Sequence, residues 1–334
     1  MTQTTYVKAV NRALADAMRA DPRVIVIGED VAEGGPYTAT AGLAGEFGTQ
    51  RVIDTPISEA AVCGVAIGAA QSGLRPVLEI MYIDFLTLAI DQLVNQAAKA
   101  HFMSGGQLRV PLVLRTQGGA GHRSAAQHSQ SLESWLCHVP GLKVVMPARA
   151  VDAAGLLASA IADPNPVVVI ENKTLYFRRE EVPEHIEPIP IGQARIVRPG
   201  RDVTVVALSR LVHEAVAAAE RLAGEGIEAE VIDPRTLVPL DTAAVLESVS
   251  RTGRLVIAHE AVRHGGFGAE LAATVAEAAF GSLRAPVQRV GARFTPVPFS
   301  GALEDDYLPG ADAVCAAVHA ALTVPSGRPD PRSQ

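Results

Sequence analysis

The sequence is poor in the features that mark membrane, secreted and nucleic-acid-binding proteins. Glycine interrupts its apolar runs after about a dozen residues, whereas a membrane helix needs roughly 20. The formal net charge of −7 gives no electrostatic basis for binding nucleic acid or an anionic membrane. The N-terminal stretch is polar and amphipathic, which is not the pattern of a signal peptide. We therefore expect no membrane and no nucleic-acid partner.

Cysteine is scarce as well. Cys63, Cys137 and Cys315 lack the C-x-x-C spacing of metal and redox motifs, and each lies among apolar residues. Thiols in such neighbourhoods are typical of reduced core positions, so we expect a cytoplasmic protein without disulfides.

The length and the pattern of the chain predict two α/β domains with parallel sheets. The 334 residues exceed what a single core usually fills, and 48% of them are apolar. Short β-branched runs alternate with helical stretches, as in parallel sheets covered by helices. The strands are predicted at RVIVIGED, RPVLEIMY, VPLVLRTQ, LKVVMP, PVVVIE, DVTVVALS, IEAEVID and RLVIAHE. The helices are predicted near Thr5–Ala20, Glu59–Ser72, Phe85–Ser104, Ala150–Asp163, Leu211–Gly224 and Thr242–Ser250, and from Gly268.

The composition changes at RREEVPEHIEPIPIG, which carries three prolines and six charged residues. Proline cannot donate a hydrogen bond to a sheet, so this segment predicts a linker. We expect a first domain at residues 1–180, a linker at 181–194 and a second domain at 195–323. The proline-rich residues 324–334 predict a disordered tail.

Glu59 is the first candidate for a functional residue. Ser58 suits an N-cap, which makes Glu59 the first residue of a helix and places it at the positive end of the helix dipole. Complementing that dipole contributes only about 0.3–1 kcal/mol, and this alternative needs no function. However, the rest of the helix has no polar face, which predicts that it is enclosed on all sides, with Gly64 and Gly68 forming a smooth strip. A carboxylate on such a helix needs a partner, and a cofactor or another subunit is the sharper hypothesis.

His128 is the second candidate. It lies in GGAGHRSAAQHSQS, a glycine-rich segment after a predicted strand, which suits a loop over a site. The spacings of His122, His128 and His138 are not those of a zinc site. The alternative is a loop histidine bonded to the backbone.

The glycines of GGFGAE, at Gly265–Glu270, do not predict a nucleotide site. The full G-x-G-x-x-G spacing is absent, and no acidic residue follows a later strand at the usual distance. We interpret the segment as a tight turn between a strand and a helix, which disfavours a stand-alone NAD oxidoreductase.

Longer stretches carry a family resemblance. VIDTPISEAAVCGVAIGAAQSGLRPVLEIMYIDF and MSGGQLRVPLVLRTQGGAGHRSAAQHSQSLESWLCHVPGLKVVMP resemble the beta subunit of the thiamin-diphosphate-dependent 2-oxo acid dehydrogenases. IDPRTLVPLD and HEAVRHGGFGAE extend the resemblance, which runs from about Tyr6 to Leu322. It implies a thiamin-diphosphate-binding fold, with a pyrimidine-binding domain followed by a transketolase C-terminal-like domain.

The resemblance also implies roles for three residues. Glu59 would bond the N1′ atom of the cofactor's pyrimidine and so help its 4′-imino group act as a base. Phe85, in MYIDF, would lie against the pyrimidine ring, although an ordinary core phenylalanine at the start of a helix is the alternative. His128 would position the 2-oxo acid and assist acyl transfer to lipoamide. The roles of His122 and Arg123 stay open.

A potassium ion is implied at SAIADPNPVV, which resembles the family's ion-binding turn. Its ligands would be mostly backbone oxygens, which suit a hard cation. They would come from Leu112, Ala160, Ile161, Asp163 and Asn165. A helix end followed by a turn is the alternative.

The sequence lacks the G-D-G motif that holds magnesium and the diphosphate in this cofactor class. The resemblance therefore implies an alpha subunit that supplies the Mg²⁺ site, within an α2β2 heterotetramer. It also implies docking to a dihydrolipoyl acyltransferase core, which accepts the acyl group.

The expected activity is that of an oxidoreductase of the pyruvate dehydrogenase (acetyl-transferring) class, acting on a 2-oxo acid with a lipoyl acceptor. Specificity for acetoin or a branched-chain 2-oxo acid is the alternative within the family. A non-catalytic scaffold subunit that has kept only the fold is a distant alternative.

Overall fold

The structure is a computed structural model that describes residues 1–323, and this part of the chain divides into two compact units. The first unit comprises Met1–Ile191 and Thr236–Pro239. The second unit comprises Gly192–Arg235 and the described residues from Leu240 onward. The predicted disordered tail, residues 324–334, lies outside the described residues. None of the helices in residues 1–323 is long and apolar enough to cross a membrane.

Strands and helices alternate along the chain, as the sequence predicts. The strands are β1 (Thr2–Thr5), β2 (Val24–Gly28), β3 (Val52–Asp54), β4 (Arg75–Ile80), β5 (Val113–Gly118), β6 (Lys143–Val145), β7 (Val167–Asn172), β8 (Arg179–Val182), β9 (Arg195–Arg198), β10 (Val203–Ala207), β11 (Ala229–Asp233), β12 (Thr236–Val238), β13 (Leu255–Val262) and β14 (Gln288–Ala292). The helices are α1 (Tyr6–Ala20), α2 (Leu43–Phe47), α3 (Glu59–Gln71), α4 (Leu86–Asp91), α5 (Ala98–Met103), α6 (Glu133–Cys137), α7 (Ala150–Ala162), α8 (Arg210–Ala223), α9 (Thr242–Thr252), α10 (Phe267–Ala279), α11 (Gly301–Tyr307) and α12 (Ala311–Thr323). A π-helical segment, Gln92–Ala97, joins α4 to α5, and a 3₁₀ turn, Lys173–Leu175, follows β7.

The first unit is built on a sheet with the strand order β12-β6-β7-β5-β4-β2-β3. Its neighbouring strands are parallel, except that β12 runs antiparallel to β6. In β4, β5 and β7 every residue but Arg75 is buried, because helices cover both faces of a parallel sheet. The predicted parallel α/β fold is confirmed.

Helix α1 shows how the sequence forms the covering layer. Its apolar side chains fall on one face of the helix, and Val7, Leu14 and Met18 are all buried. The side chain of Thr5 caps the helix by accepting a hydrogen bond from the backbone N–H of Lys8 at 3.4 Å. The buried face of α1 packs against α7.

The segment predicted to be a linker, 181–194, is structured over much of its length. Strand β8 pairs antiparallel with β1, and Ile186, Ile189 and Ile191 pack against the core of the first unit. The backbone N–H of Ile189 donates to the carbonyl of Gly155 at 3.0 Å. The first unit therefore runs to Ile191. The domain limits drawn from composition stay a prediction.

The second unit has its own parallel sheet, in the order β14-β13-β10-β11-β9, with β9 antiparallel to β11. The turn predicted at Gly265–Glu270 lies between β13, which ends at Val262, and α10, which begins at Phe267, so the last four residues of that segment already belong to the helix. Gly265 takes a φ of 66°, in the left-handed region that favours glycine.

Strand β12 is the least expected element. It lies in the sequence between two stretches of the second unit, yet it forms the edge of the first unit's sheet, with Thr236 opposite Val145. A three-residue strand gives almost no periodicity, so the sequence does not predict it.

Candidate active site

A pocket opens at the carboxyl ends of β2 and β4 and at the start of α3. Its walls include Gly28, Glu29, Glu59, Val62, Glu79 and Phe85. Ligands of open α/β sheets bind at the carboxyl ends of the strands, so this is where the fold favours a site. The pocket brings together two of the predicted site residues, Glu59 and Phe85.

Glu59 is the first residue of α3, as predicted, and it is half-buried. Ser58 occupies the N-cap position, but its hydroxyl donates to the carbonyl of Pro56 at 3.1 Å and does not cap the helix. Within residues 1–323, the Glu59 carboxylate makes no hydrogen bond and no ion pair. It is therefore available to a ligand.

The surface of α3 departs from the prediction. The helix was expected to be enclosed on all sides, but Ala61, Val65 and Gly68 are exposed, Val65 to 60%. A methyl group added at Gly68 would meet nothing within 4 Å. The prediction of full enclosure is wrong for this chain by itself, because an apolar helix face does not tell whether the same chain or another one covers it.

Two further carboxylates line the pocket. Burial raises the pKa of Glu29, and the charges of Asp30 and Glu59 raise it further. Glu79 is buried on β4 and accepts a hydrogen bond from Arg115 Nη1 at 2.7 Å. Of the three pocket carboxylates, Glu79 is ion-paired with an arginine, whereas Glu29 and Glu59 are not ion-paired within residues 1–323.

Arg115 is the centre of a buried ion network behind the pocket. This side chain is 0% exposed, and it donates to both carboxylate oxygens of Glu171 at 2.9 and 2.8 Å. The hydroxyl of Tyr176 also donates to Glu171, at 2.7 Å. Because a buried charge needs well-placed partners, the network fixes the relative positions of β4, β5 and β7.

His128 lies beside Phe85, so the structure places two predicted residues from different motifs together. The centroids of the two rings are 5.2 Å apart, with a T-shaped arrangement. Tyr82 completes the cluster, with its ring centroid 5.0 Å from His128 and 5.5 Å from Phe85. Aromatic pairs at these distances attract and exclude water. The wall beside the pocket is therefore aromatic.

The aromatic contacts continue away from the pocket through Tyr37. Its hydroxyl lies 3.4 Å from that of Tyr82, and its ring contacts His122 at a centroid distance of 6.0 Å. His122 and Arg123 are exposed on the same loop as His128, and Arg123 takes a φ of 57°.

Several hydrogen bonds hold the loop that carries His128. The backbone N–H of Gly119 donates to Gln130 O at 3.0 Å, and the amide of Gln130 donates to Asp84 Oδ1 at 2.8 Å. The ammonium of Lys173 donates to the backbone carbonyl of His128. Sequence reasoning predicted a loop here but not these supports.

The sequence did hold a signal for the missed residues. Glu79, Arg115 and Glu171 are charged residues inside runs predicted as buried strands, and such charges indicate a buried ion pair. Nothing in the sequence indicates that Tyr37 and Lys173 approach the site, since both contacts join positions about 45 residues from their partners.

The turn predicted to bind potassium already contains a cationic side chain. Arg75 Nη1 donates to the carbonyl of Ile161 at 2.6 Å and lies 3.4 Å from that of Asp163. The carbonyl of Leu112 accepts from Val167 N at 2.9 Å. The Asp163 carboxylate accepts from Lys143, and from the Asn165 N–H at 2.9 Å. The ligand set, in which Ala160 was also expected, thus fits an ion poorly, and the potassium assignment stays a prediction.

Residues 1–323 hold no group of three histidine, cysteine, aspartate or glutamate side chains arranged for a metal ion. Cys63, Cys137 and Cys315 are free thiols. Burial raises the pKa of Cys63 to about 12, so this thiol is not a ready nucleophile.

Comparison with known proteins defines the class of protein. Residues 2–178 match the family described as transketolase, pyrimidine binding domain, and residues 192–314 match transketolase, C-terminal domain. The fold is similar to that of a split gene transketolase, inactive beta4 tetramer, with a TM-score of 0.80 and 26% sequence identity. The match covers 96% of this chain and 98% of that one. The two units are therefore transketolase-type domains.

Relatives that align with this chain over nearly their full length define its family more closely. Acetoin:2,6-dichlorophenolindophenol oxidoreductase subunit beta of Cupriavidus necator is 48% identical over 320 residues, covering 92% of this chain and 94% of the relative. Pyruvate dehydrogenase E1 component subunit beta of Rickettsia felis is 48% identical over 317 residues, covering 95% and 97%. The chain belongs to the transketolase-like beta subunits of the thiamin-diphosphate-dependent 2-oxo acid dehydrogenases.

Proposed function

We propose that this chain is the beta half of a 2-oxo acid dehydrogenase of the pyruvate dehydrogenase type. With an alpha subunit it decarboxylates the 2-oxo acid oxidatively and passes the acyl group to a lipoyl group of the acyltransferase. The observation that carries the proposal is the unpartnered carboxylate of Glu59, in one pocket with Phe85 and next to His128.

The residues of the pocket fit the pyrimidine half of thiamin diphosphate. Glu59 offers a free carboxylate to a ring nitrogen, while Phe85 and Val62 offer apolar surface to a flat heterocycle. When bound, the cofactor supplies the carbon nucleophile that a 2-oxo acid needs in order to lose carbon dioxide. With the cofactor bound, Glu59 would hold a proton at the N1′ atom, and Phe85 would exclude water from the ring.

His128 takes the substrate side of the site. Its imidazole can donate a hydrogen bond to the carboxylate of a 2-oxo acid, and it can move a proton near neutral pH. The carbonyl of the same residue is held by Lys173, so the ring starts from a fixed backbone position.

An alpha subunit completes the site in this proposal. The sequence holds no G-D-G motif, so the alpha chain supplies Mg²⁺ and binds the diphosphate in an α2β2 heterotetramer. The exposed Val65 of α3 and the exposed Phe102 and Met103 of α5 give apolar surface for that assembly. Docking to the dihydrolipoyl acyltransferase core belongs to the same proposal.

A cytoplasmic location belongs to the proposal too. It is supported by the three free cysteines, because thiols stay reduced in that compartment.

Acetoin is the second candidate substrate. The beta subunits of acetoin:2,6-dichlorophenolindophenol oxidoreductases from Cupriavidus necator and Bacillus subtilis are each 48% identical to this chain. This is the same level of identity as that of the pyruvate dehydrogenase subunit from Rickettsia felis.

The test uses the complex of this chain with its alpha subunit, thiamin diphosphate and Mg²⁺. We expect Glu59→Gln to lower the turnover of pyruvate by about 100-fold or more, since the amide cannot take up the proton. Activity is followed by reduction of an artificial electron acceptor with pyruvate, branched-chain 2-oxo acids or acetoin as substrate. The matched control is Glu220→Gln, on the exposed face of α8, which should retain full activity.

Each outcome separates the candidates. Full activity of Glu59→Gln would overturn the proposal and favour the alternative that this chain is a non-catalytic scaffold subunit. Turnover of acetoin in place of pyruvate would favour the second candidate. Full turnover by this chain without an alpha subunit would overturn the shared site.

A further inference from the structure

Lys173 is a buried cation next to the candidate site. It begins the 3₁₀ turn after β7, and its side chain is 0% exposed. The preceding residue, Asn172, fixes the turn, since its side-chain oxygen accepts from the N–H of Thr174 at 3.0 Å. A side-chain hydrogen bond therefore holds the start of the turn that carries Lys173.

Two contacts tie this ammonium to the site. Nζ donates a hydrogen bond to the backbone carbonyl of His128, and it lies 5.3 Å from the centroid of the Tyr82 ring. That distance is within the range of a cation–π contact. The same Tyr82 ring contacts His128 and Phe85 edge-on. The ammonium thus bonds the loop of His128 and also the aromatic ring that the imidazole packs against.

The free-energy cost of burying the Lys173 ammonium indicates that its charge contributes to the site. Moving an ammonium out of water costs several kcal/mol, which its partners must offset. A methionine would fill a similar volume without this cost. A lysine is favoured here only if its hydrogen bond and its charge matter more than an apolar fit.

We propose that Lys173 is a positioning residue that fixes the backbone of His128 and, through Tyr82, the plane of its imidazole. The inference rests on the proposed function, because it takes the role of His128 in turnover from there. Lys173 does not touch the reacting atoms in this proposal. Glu59 and Phe85 hold the cofactor independently of it.

The proposal predicts a separation of two kinetic effects. In the complex with the alpha subunit, Lys173→Met should lower kcat by about 10- to 100-fold, since small displacements of a catalytic group have effects of this size. The thiamin diphosphate concentration that gives half-maximal activity should change by no more than about 2-fold, because the pyrimidine pocket is intact.

A second readout does not depend on activity. In the same complex without cofactor, the backbone amides of residues 119–130 should exchange hydrogen faster in Lys173→Met than in the wild type. The matched control is Lys8→Met, which removes the same ammonium group at an exposed position on α1. The control should change neither kcat nor exchange in the His128 loop.

A double-mutant cycle separates positioning from a general structural role. If Lys173 acts through His128, then Lys173→Met should lower kcat little further in a His128→Ala background. An equal loss in both backgrounds would overturn the proposal. Should Lys173→Met not fold, Lys173→Gln replaces it, because its uncharged amide ends one bond short of the place of Nζ. A folded Gln variant with full kcat would overturn the proposal.

The two proposals fail in different ways. Full kcat in His128→Ala would overturn the proposed role of His128 and the inference that rests on it. The Lys173 inference alone would be overturned by a different pattern. In that pattern His128→Ala lowers kcat, whereas Lys173→Met keeps full kcat and leaves hydrogen exchange in the His128 loop unchanged.

Discussion

Three carboxylates line the candidate pocket, and each has different surroundings. Glu79 is ion-paired with Arg115, and Glu29 lies where burial favours its neutral form. Glu59 is half-buried and has no partner among residues 1–323. Carboxylates with different surroundings can take different roles, so the three are not interchangeable.

His259 gives a residue-scale prediction in the second unit. Its side chain is fully buried, Nδ1 bonds the carbonyl of Ala261 at 3.0 Å, and Nε2 has no partner within residues 1–323. Burial lowers its pKa to about 4, and Arg289 adds to the lowering, while the Ala261 bond opposes it. The folded chain therefore keeps His259 neutral at pH values where the unfolded chain protonates it.

The sign of the pH dependence follows from this difference. Above the ordinary pKa of 6.5, His259 is neutral in both states and does not affect stability. As the pH falls from 6.5 towards 4, the unfolded chain binds a proton that the folded chain excludes. The free energy of unfolding should therefore fall by up to about 3 kcal/mol from this residue. Urea unfolding of the isolated chain between pH 7.5 and 4.5 measures the loss.

The comparison variant is His259→Asn, whose amide can still donate to Ala261 but does not titrate. Its free energy of unfolding should fall less steeply below pH 6.5 than that of the wild type. His264→Asn, at an exposed position after β13 in the same unit, should keep the wild-type slope. Identical slopes in the wild type and His259→Asn would contradict the prediction.

At the scale of elements, the regular segments were predictable and the short ones were not. Helix α3 begins at Glu59 as predicted, and the stretch predicted as one helix at Phe85–Ser104 is α4, the π-helical segment and α5. Long apolar patterns carry this information locally. Strands β1 and β8 pair across the whole first unit, and a four-residue edge strand has no local signal. Pairing between strands that are far apart in the sequence is therefore the part of the fold that local sequence patterns do not predict.

Helix α7 gives a prediction at the element scale. A methyl group added at Gly155 would lie 2.7 Å from Ile189 Cγ1 and 2.8 Å from the carbonyl of Glu187. Gly155→Ala should therefore displace the segment that follows β8, and lower the free energy of unfolding by about 1–3 kcal/mol. Urea unfolding measures the change, and limited proteolysis between residues 183 and 191 should become faster.

The control is another glycine inside a helix. Gly68→Ala on α3 meets no atom within 4 Å and should stabilise the isolated chain by up to about 1 kcal/mol, because alanine is the better helix former. If Gly155→Ala were as stable as Gly68→Ala, the close packing of the segment on α7 would be disproved.

At the scale of the whole molecule, β12 prevents a simple division of the chain. It adds an edge strand to the first unit, although its neighbours in sequence on both sides belong to the second. Leu237, in the middle of β12, is 2% exposed. Leu237→Ala should lower the free energy of unfolding of the full chain by about 2–5 kcal/mol, because it leaves a cavity.

Hydrogen exchange locates that effect. The amides of β6, which pair with β12, should lose protection in Leu237→Ala, and urea unfolding gives the total loss. Leu303→Ala, at a 58% exposed position on α11, should change stability by no more than about 0.5 kcal/mol. Unchanged protection of β6 would show that β12 does not support the sheet.

The candidate site was predictable where single motifs carry it and not where several segments meet. Glu59, Phe85 and His128 come from separate motifs that the resemblance links. Their convergence, and the supports from Lys173 and Tyr37, depend on contacts that only the folded chain shows.

The path of β12 has a consequence for recombination between related genes. A single crossover at Ile191/Gly192 would join a first sheet from one parent to an edge strand from the other, since residues 236–239 travel with the second segment. A chimera that keeps each sheet from one parent needs two more crossovers, around Arg235 and Leu240. Exchange of the two domains between related genes therefore requires three crossovers and not one.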